Sequence, residues 1–462
     1  MLVTIRLTVV CVLVVLVPAV ARPMPEPRSQ TQRQASPFLL PIVKRDSLLN
    51  GLQLIVLEQL GTGSVSTRLR INSGALFDLA GKGGLADLTG GMLLKGAGGF
   101  NAKNIADTIE RSGFTINISV SWDTTDIIIH GPGDSLDSIF DLLGRLMVAP
   151  VFDQKELDAL KSVRISEVKQ ELTEDAEAVR RKAIEAVFGT HPFGRPARGT
   201  AESIAKISKQ DLVYYYTRFY IANNAELVVT GDAAAEHVTK LSRATLGAWK
   251  KGEKVPATFR PPEPRSARSV FIIDRPDAQL ARAALAQLGF SRRGDDYFAA
   301  LIMSDLLAEG CLGIAAASPG AKVEVEHDAR QLAGPLTVAI KSSPTDLPGV
   351  LDSVQTAMIR LQTTPPAGEQ VESAKSRLIT GMAEKLKGND GASQVLLDIE
   401  TYGLGRDYLI NFAERVSAIT PAAVQQAAQS YLKPQSAVVV IAGPASKLEG
   451  AVKPLGAVTV SK

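Results

Sequence analysis

Residues 84–96 have the sequence GLADLTGGMLLKG, which predicts a short helix followed by a glycine-rich exit. Leu85, Leu88 and Met92 recur at helical spacing and would share one apolar face. The glycine pair Gly90-Gly91 lies inside the same helix, where each glycine costs roughly 1 kcal/mol relative to alanine. The pair therefore weakens the helix that the apolar spacing predicts.

Both ends of this stretch resemble the active-site helix of the pitrilysin/insulinase metallopeptidases, a family that includes the mitochondrial processing peptidases. In that family, a Gly-Leu-Ala start and a Met-Leu-x-Lys-Gly end flank the inverted zinc motif H-x-x-E-H. The flanks are present here, but Asp87, Gly90 and Gly91 stand at the positions of the first His, the Glu and the second His. The resemblance implies a retained scaffold whose catalytic zinc site has been dismantled.

The chemistry of the motif explains why these three replacements matter. Two His at i and i+4 lie on one helix face and hold one zinc ion, and the Glu activates the bound water. Glycine has no ligand atom, so Asp87 alone would remain. The family's spacing places the third ligand at Glu167, with Glu174 one helical repeat later. We expect Glu167 to be a vestigial ligand, or simply a solvated Glu on a charged helix, and we expect no cofactor.

Further matches to the same family lie in order along residues 40 to 445. The second half also repeats part of the first, since the Tyr and apolar strand at 220–231 have a counterpart at 431–443. The other matching segments are HPFGRP at 191–196 with Gly199-Thr200, Asn223-Asn224, VFIIDRP at 270–276, Tyr402-Gly403-Leu404 and Thr420-Pro421.

The resemblance implies an α+β fold of two homologous domains arranged as a clam shell. Each domain would be a two-layer sandwich, an antiparallel sheet with helices packed on one face. A stretch rich in Pro, Lys and Arg at 251–268 suggests a linker. We predict a signal peptide at 1–21, a flexible tether at 22–37, an N-terminal peptidase-like domain with a degenerate site at 38–250, this linker, a C-terminal peptidase-like domain at 269–446 and a tail at 447–462.

Two sequence patterns in the first half bear on a candidate site. Residues 114–121 alternate and are followed by an apolar stretch at 126–130, which predicts a hairpin around Asp123-Thr124. Residues 153–188 predict one long charged helix, either continuous or broken once, with the apolar stripe Leu157, Leu160, Val163, Val168 and Leu172. An earlier strand, 66–73, places Arg68 and Arg70 on the face opposite Leu69 and Ile71.

The first strand of that hairpin corresponds to the edge strand on which the family captures peptides. We therefore predict peptide binding at Ile116, Asn117, Ile118 and Ser119, because strand addition needs only backbone groups. Asn117 matches an Asn that is frequent there; the alternative is a plain sheet strand. The family's second half supplies an Arg and a Tyr to the substrate, but the run GCLGIAAAS at 310–318 contains neither. Arg330 is nearby and fits no clear alignment.

The remaining metal-binding residue types do not form a recognisable cluster. The four histidines, His130, His191, His237 and His327, have no helical spacing. We expect His237 and His327 to lie at the surface. Cys11 lies in the predicted signal peptide, so Cys311 would be the single remaining thiol and a small buried hydrophobe. The glycines at 81–84 lack the rest of a nucleotide-binding loop.

The N-terminus and the composition indicate the compartment. Arg6, the apolar run 9–17 and the small-x-small site at Ala19-Val20-Ala21 predict a signal peptide cleaved after Ala21, with an uncleaved anchor as the alternative. We expect an exported protein, periplasmic or secreted, with no membrane span after cleavage. A net charge of +3 gives no reason to expect a nucleic-acid partner.

These observations favour a non-catalytic homologue of a zinc metallopeptidase. It would be the peptide-binding or structural subunit that pairs with a zinc-bearing sister subunit of the same family, and it would hold a peptide or unfolded protein segment. One alternative is an active metalloendopeptidase with an atypical metal site, built from Asp87, Glu167 and a His from elsewhere. A second alternative is a stand-alone peptide-binding protein.

Overall fold

The computed structural model describes residues 42–256 and 258–461. The predicted signal peptide, the tether and the first residues of the predicted N-terminal domain lie outside the described residues. Two six-stranded sheets organise the rest, and we call the parts of the chain that build them the first and second halves. The domain boundaries given above remain predictions.

Within the described residues, the first half contains eight strands and eight α-helices. Its strands are β1 (Val43–Ser47), β2 (Gln53–Glu58), β3 (Ser64–Ile71), β4 (Gly96–Ala97), β5 (Phe100–Asn101), β6 (Thr115–Val120), β7 (Thr125–Pro132) and β8 (Ala225–Gly231). Its helices are α1 (Leu85–Leu93), α2 (Ala102–Ser112), α3 (Leu136–Val148), α4 (Gln154–Glu171), α5 (Asp175–Phe188), α6 (Ala201–Ala205), α7 (Lys209–Phe219) and α8 (Ala235–Leu246).

Up to residue 461, where the described part of the chain ends, the second half contains six strands and seven α-helices. Its strands are β9 (Ser269–Asp274), β10 (Ala281–Leu288), β11 (Lys322–His327), β12 (Pro335–Ser342), β13 (Val438–Gly443) and β14 (Val458–Ser461). Its helices are α9 (Tyr297–Ala317), α10 (Leu347–Thr363), α11 (Gly368–Lys387), α12 (Asn389–Thr401), α13 (Tyr408–Ser417), α14 (Pro421–Tyr431) and α15 (Ala445–Val452).

The strand orders of the two sheets show an internal duplication. The first sheet has the order β1-β2-β8-β3-β7-β6, and the second, read from its far edge, has the order β14-β9-β13-β10-β12-β11. In each sheet the strand that returns after the long helical excursion, β8 or β13, lies third. This correspondence agrees with the sequence repeat and confirms the α+β, two-half fold.

The sheets are mainly antiparallel, and three strand pairs depart from the expected antiparallel arrangement. The pairs β2–β8, β9–β13 and β9–β14 are parallel. The reason is connectivity, because the chain reaches β8 and β13 through helical crossovers, and a crossover can return a strand in the same direction as its neighbour.

The two halves form a clam shell in which each half also covers the other's sheet. Helix α12 of the second half lies on β3 and β8, and α5 of the first half lies on β10 and β13. Ile55, Leu57 and Val228 therefore share a buried cluster with α12, while Val179 of α5 shares another with the second sheet. Each sheet thus has helices of its own half on one face and a helix of the other half on the opposite face.

The position of α12 on the first sheet explains why Arg68 and Arg70 are buried. The two side chains are 5% and 3% exposed, and they face α12. The Arg70 guanidinium donates two 2.8 Å hydrogen bonds to the carboxylate of Asp126 and a third, also 2.8 Å, to Asp398 of α12. An arginine face that alternation alone would assign to solvent is instead a buried ionic contact between the halves.

Residues 310–317 of the run 310–318 form the last part of α9, and Ser318 is the residue that ends the helix. Helix α9 is long and apolar enough to cross a membrane by length and composition. Its buried residues are Phe298, Ala299, Ala300, Ile302, Met303, Leu306, Leu307 and Cys311, whereas Leu312 is exposed. The burial of Cys311 confirms that it packs as a small hydrophobe, and burial raises the pKa of its thiol to about 11.

Candidate functional site

Helix α1 begins at a backbone position that only glycine fills easily. Gly84 has φ 90°, and a Cβ there would lie 2.6 Å from the carbonyl oxygen of Arg198. The Asp78 carboxylate accepts hydrogen bonds from the backbone N–H groups of Gly84 and Ala86, at 2.7 and 2.8 Å. Burial raises the pKa of Asp78 to about 7, although these two hydrogen bonds oppose the rise. Asp78 thus anchors the start of the helix.

The glycine pair lies where α1 packs against β6 and α4. A Cβ on Gly90 would lie 3.0 Å from Cγ2 of Ile118 in β6, and one on Gly91 would lie 3.0 Å from Cδ2 of Leu160 in α4. Leu85, Leu88 and Met92 are fully buried, which confirms the predicted apolar face. The close packing accounts for small residues at positions 90 and 91, and neither position offers a ligand atom.

Helix α4 presents the remaining charged groups. Its apolar stripe is shorter than predicted, because Val163 and Leu172 are 51% and 38% exposed while Leu157, Leu160 and Val168 are buried. The predicted long helix is broken at residues 172–174, between α4 and α5. The apolar stripe therefore ends where α4 ends. Arg164 and Glu167 lie on the side of α4 that faces α1.

Five charged residues form one network, which we call the salt-bridge cluster. Arg164 Nε lies 2.9 Å from Asp87 Oδ2, and Arg164 Nη1 donates a 2.8 Å hydrogen bond to Glu167 Oε2. Arg198, from the loop before α6, donates to the carboxylates of both Glu167 and Glu171. The cluster thus joins α1, α4 and the loop that carries the HPFGRP segment.

The ionisation of the cluster follows from its surroundings. Burial raises the pKa of Asp87, although the positive charge of Arg164 opposes the rise. The hydrogen bond from Arg164 lowers the pKa of Glu167. Burial disfavours the Arg164 cation, but the negative charges of Asp87 and Glu167 outweigh it and raise the guanidinium pKa. A fixed cation therefore lies between the two acids that resemblance assigns to metal-ligand positions.

The residues of this centre do not fit a zinc ion. Across residues 42–256 and 258–461, no group of three or more His, Cys, Asp or Glu side chains is placed to hold a metal. His191 and His237 have partners elsewhere, the backbone of Phe193 and the carboxylate of Asp137. His130 lies 3.7 Å from Asp390. The atypical site of Asp87, Glu167 and an imported His is therefore absent from the described centre.

His327 is the histidine whose predicted surface position needs correction. Its ring stacks on Phe290 with centroids 3.6 Å apart, and its Nε2 accepts the backbone N–H of Phe290 at 3.3 Å. Burial lowers the pKa of His327 to about 4. The side chain is a neutral packing element, whereas His237 is exposed as expected.

Strand β6 carries the predicted peptide-binding residues at the outer edge of the first sheet. Within the described chain it pairs only with β7, through the hairpin predicted from alternation. Ile116 and Ile118 lean into the first hydrophobic core, while Asn117 and Ser119 are exposed. The β6 edge therefore lies beside α1 with its outer backbone unpaired by any described strand.

The second half contributes a contact at the tip of the β6–β7 hairpin that sequence analysis missed. Arg330 is 4% exposed, and its guanidinium carbon lies 3.6 Å from the ring centroid of Trp122 and 4.6 Å from that of Phe193. The next residue, Gln331, donates its backbone N–H to Asp123 at 2.9 Å. Arg330 is therefore a buried clasp between the halves and is not available as a substrate contact.

Comparison with known proteins identifies the family. Residues 54–201 match the sequence model described as "Insulinase (Peptidase family M16)", and residues 206–378 match "Peptidase M16 inactive domain". The chain belongs to the M16 peptidase family. Helix α1 lacks the side chains of the family's zinc motif at positions 90 and 91, and a protein described as a non-peptidase homologue is among the relatives of this chain.

Two curated relatives illustrate the range of the family. The chain is 24% identical over 287 residues to "Mitochondrial-processing peptidase subunit beta" of Caenorhabditis elegans. This alignment covers 61% of each of the two chains. The chain is 22% identical over 223 residues to "Non-peptidase homolog YmxG" of Helicobacter pylori, covering 48% of this chain and 49% of that protein. The alignments thus span between about half and three-fifths of these relatives.

Solved structures agree on the fold. The peptidase M16 inactive domain from Pseudomonas fluorescens superposes with a TM-score of 0.79 at 22% identity, over 87% of this chain and 98% of that one. The periplasmic protease PqqL from Escherichia coli superposes with a TM-score of 0.72 at 16% identity, over 89% of this chain and 48% of that one. At these identities the likeness establishes the fold.

Proposed function

We propose that this chain is a non-catalytic M16 subunit that holds an extended peptide on the edge of β6. The observation that carries the proposal is the pairing of two features in one place. Helix α1 has no ligand atoms at Gly90 and Gly91, whereas β6, in contact with it through Ile118, remains the outermost strand of its sheet. The peptide-holding edge is thus kept where the hydrolytic centre is lost.

The chemistry of strand addition suits this edge. A peptide that adds to a sheet gains main-chain hydrogen bonds, and pockets for alternate side chains give it selectivity. The outward Asn117 and Ser119 would flank such a peptide, while Ile116 and Ile118 fix the strand to the core. No zinc and no residue of the salt-bridge cluster is required for this mode of binding.

The test uses probe peptides rather than changes to the strand. Fluorescent seven-residue peptides of varied sequence are titrated with the mature protein, and the tightest binder is resynthesised with N-methyl groups on alternate residues. Successive strand residues point their N–H groups in opposite directions, so one methylation pattern should abolish binding and the other should leave it nearly unchanged. Equal affinities for the two methylated peptides, or no binding by any peptide, would contradict the proposal.

We further propose that the chain works beside a zinc-bearing sister subunit of its family. The relative from Caenorhabditis elegans is named as a subunit, which supports this assignment. Size-exclusion chromatography with light scattering, on the chain alone and mixed with an M16 chain that has an intact H-x-x-E-H motif from the same genome, tests it. A complex formed only in the mixture is the expected result. A chain that binds peptide but remains unassociated would be the stand-alone binder.

Export is the last part of the proposal. The apolar run and the Ala-Val-Ala site at 19–21 support a signal peptide, and a structurally similar M16 protein is described as periplasmic. Fractionation of cells that produce the full chain should place the mature protein outside the cytoplasm. Recovery of the bulk of the protein from the cytoplasm, with Met1 retained, would contradict export.

A further inference from the structure

Helices α1 and α4 meet at the place where the M16 zinc motif and the third ligand would face each other. In this chain the contact between them contains the guanidinium of Arg164. Its Nε lies 2.9 Å from Asp87 on α1, and its Nη1 lies 2.8 Å from Glu167 on α4. One cation therefore contacts both acids that occupy ligand positions.

Close packing between α1 and α4 also fills this place. A Cβ on Gly91 would lie 3.0 Å from Leu160 Cδ2 and 3.8 Å from Arg164 Nη2. A side chain at position 91 would therefore meet Leu160 and Arg164 before it reached the space next to Glu167. Arg198 holds the carboxylate of Glu167 as well, so this acid already has two cationic partners.

We infer that Arg164 has taken the place of the metal as the cross-link between α1 and α4, and that it closes the centre to zinc even when the lost ligands are restored. A guanidinium can do this because it offers several N–H donors in one plane and can bind two carboxylates together. A bound dication would lie within a few ångströms of this fixed positive charge, where like charges repel strongly. The inference concerns the centre alone and goes beyond the proposed peptide binding.

The test restores the ligands with and without Arg164. The first variant carries Asp87→His, Gly90→Glu, Gly91→His and Leu160→Ala, in which the last change makes room for the new His. The second variant adds Arg164→Ala, and a matched control adds Arg180→Ala instead. Arg180 pairs with Glu177 across three residues on α5, and although its charge also acts on Glu171 of the salt-bridge cluster, its ion pair involves neither Asp87 nor Glu167.

Zinc binding is measured by competition with a chromophoric chelator, and folding by circular dichroism. The variant with Arg164→Ala should bind one zinc at least about tenfold more tightly than the other two, a factor that corresponds to about 1.4 kcal/mol. Equal zinc affinity with Arg164 present would overturn the inference. So would a folded Arg164→Ala variant that takes up no zinc, because Arg164 would then not be what closes the centre.

A second measurement covers the case in which the multiple variants do not fold. Arg164→Ala alone, in the otherwise natural sequence, should speed hydrogen exchange of the buried α1 amides at least about tenfold and leave α14 unchanged. Arg180→Ala should change neither helix. Unchanged exchange in α1 after Arg164→Ala would refute the cross-link. Neither measurement involves peptide, so failure here leaves the proposed function standing, and the reverse also holds.

Discussion

Removal of the Arg330 side chain should loosen the tip of the β6–β7 hairpin, and the size of the effect follows from its surroundings. Arg330 is stacked on Trp122 at 3.6 Å and lies 4.6 Å from the Phe193 ring, with its side chain 5% exposed. A desolvated cation–π contact contributes about 2 kcal/mol. The lost packing adds to this, because the long stem of an arginine also covers apolar surface.

Arg330→Ala should therefore cost about 2–3 kcal/mol in local stability, which speeds amide exchange by about 30–150-fold. Hydrogen exchange measured by mass spectrometry reports this on a peptide that spans 115–125. Trp122 is a second reporter, because its indole N–H donates to the Arg195 carbonyl at 3.1 Å. Its fluorescence should become more accessible to a quencher, while that of the buried Trp249 should not.

Two variants distinguish the effect of stacking by the Arg330 guanidinium from the effect of a positive charge alone. Arg330→Lys keeps the positive charge but loses the planar group, so its effect should fall between wild type and alanine. Arg293→Ala removes an exposed arginine of the same region that donates to the carbonyls of Thr401 and Tyr402. It should leave the hairpin tip unchanged. If Arg330→Ala exchanges no faster than Arg293→Ala, Arg330 does not clasp the hairpin and the reasoning is refuted.

Three further predictions concern the helix, its anchor and the N-terminus. Gly91→Ala should raise the free energy of unfolding by less than the roughly 1 kcal/mol that helix propensity alone would give, because the new Cβ meets Leu160. Gly310→Ala, in the open part of α9, should raise it by about 0.5–1 kcal/mol. Urea unfolding compares the two variants, and equal gains in stability would contradict the packing argument. The pKa of Asp78 is raised from its ordinary value of 3.8 to about 7 in the folded protein, so between these pH values the unfolded chain binds fewer protons than the folded chain. The stabilisation from this group is complete below about pH 3.8 and is lost as the pH rises to 7. The wild-type free energy of unfolding should therefore fall relative to that of Asp78→Asn over this range, and a constant difference between the two would contradict the prediction. N-terminal sequencing of the exported protein should begin at Arg22, and a start at Met1 would contradict cleavage after Ala21.

The sequence predicted the elements whose cause is local. Apolar spacing predicted α1, alternation predicted the β6–β7 hairpin, and the repeat predicted two similar halves. The position of β6 at the sheet edge came from resemblance, because alternation alone does not state which neighbour a strand has. Contacts between segments far apart in the chain could not be predicted from the sequence. Only the fold shows that the strand face with Arg68 and Arg70 is buried under α12.

The candidate site divides in the same way. The loss of ligands at Gly90 and Gly91 is visible in the sequence, since those residues have no side chains to offer. The role of Arg164 was missed, although its i,i+3 spacing to Glu167 was a signal that a helical ion pair is present. Its contact with Asp87, and the contact of Arg198 with Glu167, join segments far apart in the chain and require the fold.

The metal content of the natural protein decides whether its centre is non-catalytic. Mature protein is purified without metal additions, dialysed against a mild chelator and analysed for zinc by elemental analysis, with an intact M16 peptidase treated in parallel. The loss of ligand atoms at positions 90 and 91 and the contact of Arg164 with Asp87 predict no stoichiometric zinc and no chelator-sensitive peptidase activity. One zinc per chain together with peptide cleavage that a chelator abolishes would contradict the account of a non-catalytic centre.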